Sequence, residues 1–116
     1  MDSNPDNPVI GDRSFSRDPE ECAVQVIATM KAMRDVGVLP CIKHFPGHGD
    51  TDVDSHLDLP WVRKSIAELE RCEWHPFKRA IQDGVEVIMT AHVMFPELDS
   101  QHPATMSHSI LQGLLR

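Results

Sequence analysis

Between Lys43 and Pro60 the chain reads KHFPGHGDTDVDSHLDLP, and no regular element can hold that run. Pro46 lacks a backbone donor and Gly47 and Gly49 are poor helix formers, so the run is not a helix. The same residues argue against a central strand. Immediately before it stands Val38-Leu39-Pro40-Cys41-Ile42, a short apolar run of the kind that forms a buried strand. The stretch is therefore read as a long polar loop at the C-terminal end of a strand, which is where α/β proteins build their sites. It gathers His44, His48 and His56 with Asp50, Asp52, Asp54 and Asp58.

The flanking sequence alternates helix and strand. Residues 1–16 are punctuated by Asn4-Pro5, Asn7-Pro8 and Gly11 and read as a connection. Asp18-Pro19-Glu20-Glu21 is a helix start, with a capping carboxylate, proline at the first helical position and acids at the positive end of the dipole. Val24, Ile27 and Met30, with Ala23, Ala28 and Met33, give the expected apolar face, and Gly37 the stop. The strand at Val38–Ile42 and the polar loop follow. Ser65–Glu73 is expected to be helical, with Ile66, Leu69 and Cys72 on one face. Trp74-His75-Pro76 is expected to interrupt it, because the residue before proline avoids the helical region. A short helix over Pro76–Asp83 would bury Phe77, Ala80 and Ile81 and stop at Gly84. Val85–Met89 is the second strand, Val93–Thr105 a loop, and Ser107 the cap of a last helix.

This order implies a parallel sheet with covering helices. Two strands do not make a stable sheet covered on both faces. The α/β pattern in 116 residues is therefore read as a fragment of a larger fold, about half of an eight-stranded barrel of roughly 250 residues.

Composition narrows the partners. With 18 Asp+Glu against 11 Lys+Arg and no basic cluster, nucleic acid is not an expected partner. No apolar run approaches the roughly 20 residues that span a membrane. The start has no signal-peptide pattern. Cys22, Cys41 and Cys72 have no metal-like spacing and read as reduced, partly buried thiols.

The ligand-type side chains of the loop raise two chemistries, a metal site and an acid–base site. A twelve-residue calcium loop beginning at Asp50 would want Gly sixth and Glu twelfth, and those positions hold Ser55 and Trp61. His44 and His48 are separated by Pro46 and Gly47, so no helix pairs them, and neither a metal nor a cofactor is expected. Asp54-Ser55-His56 is more suggestive. In an extended segment alternate residues point the same way, so the Asp54 carboxylate can orient the His56 ring and raise its basicity. Taken alone the tripeptide is common, and a solvated loop histidine remains open.

The run KHFPGHGDT followed by DSH resembles the signature of family-three glycoside hydrolases, in particular their β-N-acetylhexosaminidase branch. IGDRSFSRDP resembles the segment one strand earlier, IMTAHVMFPELDSQHPATMS the segment one strand later, and ILQGLLR the start of the following helix. The resemblance implies the middle βα units of a TIM-like (β/α)8 barrel, with residues 1–116 a part of the catalytic domain cut at both ends. It implies hydrolysis of a terminal β-linked N-acetylglucosamine with retention, using His56 as acid/base and Asp54 as its partner. That departs from the usual carboxylic acid, although imidazole titrates near working pH. It further implies sugar binding by Lys43, His44 and Arg13. His48 is expected to shape the loop among its glycines, and His92, ending a strand at the same rim, can line the pocket.

The family's nucleophilic aspartate, which follows the next strand, matches no aspartate here, so this polypeptide alone is expected to be inactive or nearly so. The partner implied is a sugar substrate, β-N-acetylglucosaminides such as cell-wall muropeptides. A non-catalytic remnant or subunit with weak sugar binding is an alternative, and a relative transferring the sugar to phosphate is another. The expected location is the cytoplasm, with secretion left open by an N-terminus that the resemblance implies is missing.

Overall fold

The computed structural model describes residues 1–7, 9–51 and 58–116. A single 3-10 turn at Gly11–Arg13 leads into α1 (Pro19–Asp35), β1 (Cys41–Phe45), α2 (Ile66–Arg71), α3 (Trp74–Gln82), β2 (Val87–Thr90) and a closing π-helical turn, Ser109–Leu114. β1 and β2 pair in parallel, α1 packs on α3, and α3 packs on β1. Among the described residues no helix is long and apolar enough to cross a membrane.

The helix starts follow their capping chemistry. Asp18 accepts a hydrogen bond from the Glu21 amide (2.8 Å) ahead of Pro19. Ser65 and Glu68 form a reciprocal capping box at the start of α2, of the kind that satisfies two otherwise orphaned amides. α1 ends at a left-handed Gly37 (φ 75°).

The elements differ from expectation where backbone donors are already committed. β1 begins at Cys41, three residues later than expected, since Pro40 has no N–H to give a ladder and Leu39 is 60% exposed. β2 begins at Val87, because the Val85 amide donates to the Ala80 carbonyl at the end of α3 (3.0 Å). The expected break between α2 and α3 falls at Cys72 and Glu73 rather than at Trp74-His75-Pro76, and Pro76 lies inside α3. It sits in the first turn, where its missing donor would be unpaired anyway. Ser107 does accept from the Ile110 amide (3.2 Å), but the turn that follows closes with wider π-type bonds such as Leu115 N–H to Ile110 O (3.1 Å).

Apolar faces are narrower than the periodicity suggests. α1 buries Cys22, Ala23 and Met30 while Val24 is 51% exposed, and Ile66 and Ile81 are exposed on α2 and α3. Cys41 is likewise exposed rather than partly buried. The buried cluster gathers Phe45, Val62, Leu69, Trp74, Phe77, Val93, Phe95 and Ile110. Phe45 stacks on Trp74 (centroids 6.5 Å) and meets Phe77 edge-on (5.4 Å), the offset and T-shaped arrangements aromatic quadrupoles favour.

Candidate active site

The end of β1 is where the site begins, and there the ladder is irregular. Cys41, Ile42 and Lys43 face Val87, Ile88 and Met89 in register, then Phe45 rather than His44 faces Thr90. One extra residue on a strand bends it and re-aims its side chains. In a regular strand Lys43 and His44 would point to opposite faces. Here both line one cavity, together with Arg13, His48 and Glu73. The cavity is about 260 Å³, and its other walls are mostly apolar, with Met30 of α1 and Ile42 of β1 among them beside Ser14 and Thr29. The Lys43–His44 and Phe45–Pro46 peptide bonds are cis.

Electrostatics set the character of His44. Burial first, then the positive charges of His48, Lys43 and Arg13, lower its pKa to about 4. At neutral pH it is a neutral imidazole offering one donor and one acceptor, beside the side chains of Lys43 and Arg13. That set of groups suits hydroxyls and amide oxygens better than a second cation. The His44 and His48 rings meet at 5.6 Å between centroids, edge to face.

The loop base is held from two directions. On one side His48 is 5% exposed and its Nδ1 lies 2.8 Å from Thr51 Oγ1. The Asn7 side-chain amide donates to the His48 carbonyl (2.7 Å) and to Thr51 Oγ1 (3.1 Å). On the other side Lys64 donates to Glu73 (2.6 Å) and pairs with Asp50 (3.3 Å). Burial pulls the Lys64 ammonium down, and the two carboxylates outweigh it, leaving its pKa above the usual lysine value. Glu73 is 2% exposed, and its Oε2 has no hydrogen-bond partner among the described residues.

Of the residues expected at the site, Arg13, Lys43, His44 and His48 come together at this cavity. His92 does not line it. His92 is exposed, with its Nδ1 2.6 Å from Thr105 Oγ1. Asp54 and His56 lie outside the described residues. Among those described, no group of three or more His, Cys, Asp or Glu side chains is placed to hold a metal ion. Sequence reasoning missed Asn7, Thr51, Lys64 and Glu73. In the sequence Asn7 reads only as turn punctuation before Pro8, and a buried carboxylate at Glu73, in the turn between α2 and α3, carries no local signal.

Comparison with known proteins identifies the family. The family model described as the glycosyl hydrolase family 3 N-terminal domain matches residues 1–116. A beta-hexosaminidase of Thiobacillus denitrificans is 43% identical over 108 residues, covering 93% of this chain and 30% of that protein. The solved family 3 beta-N-acetylglucosaminidase of a Paenibacillus strain superposes with a TM-score of 0.97 at 45% identity, over 100% of this chain and 22% of that one. NagZ of Neisseria gonorrhoeae, solved in complex with N-trifluoroacetyl-D-glucosamine, gives a TM-score of 0.88 at 42% identity, over 93% of this chain and 32% of that one. The chain thus spans less than a third of the length of each of these relatives.

Proposed function

The chain belongs to the glycosyl hydrolase family 3 N-terminal domain, its α/β units are part of that TIM-barrel-like fold, and from this we propose that the protein containing it hydrolyses terminal β-linked N-acetylglucosamine with retention. The observation that carries the reading is the convergence of Arg13, Lys43 and His44, 30 residues apart in sequence, on one cavity. In this reading Arg13 and Lys43 donate to sugar oxygens, and neutral His44 supplies a directional hydrogen bond. His56, oriented by Asp54, protonates the leaving oxygen and then activates water, as acid and base by turns. The nucleophile is an aspartate from outside residues 1–116, attacking the anomeric carbon to form a glycosyl-enzyme that water then opens.

The test is release of 4-nitrophenol from 4-nitrophenyl β-N-acetylglucosaminide by the full-length protein and by its His56→Ala variant. Loss of general acid–base catalysis should lower turnover at least about 100-fold. Full turnover by the variant would remove His56 from the mechanism, and no turnover by the unaltered protein would remove the activity.

A further inference from the structure

Asn7 is 6% exposed, and its amide uses its full hydrogen-bonding capacity. Its Oδ1 accepts from the amides of Val9 and Ile10 (both 2.8 Å). Its Nδ2 donates to the His48 carbonyl (2.7 Å) and to Thr51 Oγ1 (3.1 Å). The reverse orientation would set an NH2 group against two N–H donors, so the assignment is fixed by the network. The two halves of this one planar group hold two different walls of the cavity. The Val9–Ile10 side carries Arg13, whose guanidinium donates to the Val9 carbonyl and whose amide donates to Ile10 O (3.0 Å). The His48–Thr51 side is the loop base that continues directly from Lys43 and His44.

We infer that Asn7 is a positioning residue for sugar binding, setting the Arg13 wall of the cavity at a fixed distance from the Lys43–His44 wall. The inference rests on the sugar-binding reading above. A ligand that takes hydrogen bonds from both walls is sensitive to their separation, and misplacement by about 1 Å is enough to weaken directional contacts. A role confined to stability would lower the melting temperature and leave the affinity of the folded protein alone.

The experiment titrates N-acetylglucosamine into the full-length protein by calorimetry, well below each variant's melting temperature. The variants are Lys43→Ala, Arg13→Ala, Asn7→Ala, Asn7→Asp, Thr51→Val and the Asn7→Ala/Arg13→Ala double. Asn7→Ala should weaken binding at least about fivefold, the scale of losing buried hydrogen bonds. The double variant should be weaker than Arg13→Ala by clearly less than the Asn7→Ala factor, because the two losses share one contact. Thr51→Val, which deletes the hydroxyl at nearly constant shape, should weaken binding in the same direction by a smaller factor.

If Asn7→Ala and Thr51→Val bind as tightly as the unaltered protein, or if the double variant is fully multiplicative, positioning is overturned. In that case Arg13→Ala and Lys43→Ala still weaken binding, and the sugar-binding reading stands. If the unaltered protein binds no sugar, or Lys43→Ala does not matter, that reading falls and the inference goes with it. Should Asn7→Ala not fold, Asn7→Asp and Thr51→Val decide by the same criterion. Asn7→Asp keeps the acceptor for Val9 and Ile10 and loses both donors.

Discussion

The core around Phe45 and the loop base from Gly47 to Thr51 are neighbours along the chain and are held by opposite means. Phe45 is fixed by rings, with Trp74 stacked on it and Phe77 edge-on. Two residues later hydrogen bonds and ion pairs take over: Asn7 to His48 and Thr51, and Lys64 between Asp50 and Glu73. Apolar attraction is non-directional, whereas a hydrogen bond weakens as its distance and angle leave a narrow range. The first region therefore places the strand and the second places the functional groups at its end. The two should respond differently to substitution.

The largest effect expected falls on the apolar side. Phe95 is 1% exposed within the buried cluster and does not line the cavity. Phe95→Ala should destabilise the full-length protein by about 3–5 kcal/mol, from lost transfer energy and the void left behind. Denaturant unfolding measures that loss, and sugar affinity of the folded variant should stay within about twofold, since sites that share no contact are energetically independent. A large loss of affinity would show that the two regions are energetically coupled.

Gly47 tests the division from the other side. Its φ of 144° is a conformation L residues rarely adopt, and a Cβ there would sit 2.8 Å from Cβ and Cγ of Glu73. Glu73 cannot easily retreat, because it is buried and anchored to Lys64. Gly47→Ala should cost about 1–3 kcal/mol of stability from backbone strain alone. It should also weaken sugar binding, because it pushes directly on the segment between His44 and His48. A variant that loses stability but keeps full affinity would mean that the loop base absorbs strain without moving the site.

How much of this could be read beforehand depended on how local the cause was. The start of α1 at Asp18-Pro19 was legible because a cap is a matter of three or four adjacent residues. The α/β fold class followed from the alternation of elements. The edges of both strands were not legible, since they depend on a proline lacking a donor and on the Val85 amide being spent on the end of α3. The buried faces of the helices shifted because each carries more apolar residues than one stripe needs. At the site, Lys43, His44 and Arg13 were named through family resemblance. Their meeting at one cavity depends on the irregular step between Lys43 and Phe45 and on Asn7 reaching more than 40 residues along the chain. Neither has a sequence pattern of its own.

The smallest effect, and the one that separates the two regions most cleanly, is in pH. His44, half-buried and facing His48, Lys43 and Arg13, titrates near 4 in the folded protein, against an ordinary value of 6.5. Between those values the unfolded chain takes up a proton at this position and the folded chain does not, so stability falls as pH drops from about 6.5 to about 4. Away from the site the shifted carboxylates run lower. The Ser107 hydroxyl and the Gln101 and His102 amides hold Asp99 to about 2, against an ordinary 3.8. Its contribution is intact above 3.8 and is lost as pH falls towards 2. The two windows barely touch. Unfolding midpoints of the full-length protein, measured from pH 7 to pH 3 beside those of His44→Gln, should show a slope between about 6.5 and 4 that the variant lacks. Below 4 both proteins should lose stability in parallel. Glu73 lines the same cavity as His44, and its carboxylate is paired with Lys64. If the two curves run parallel through the whole range, the His44 ring titrates in the folded protein as it does in the unfolded chain, and a neutral imidazole between about pH 6.5 and pH 4 has to be abandoned.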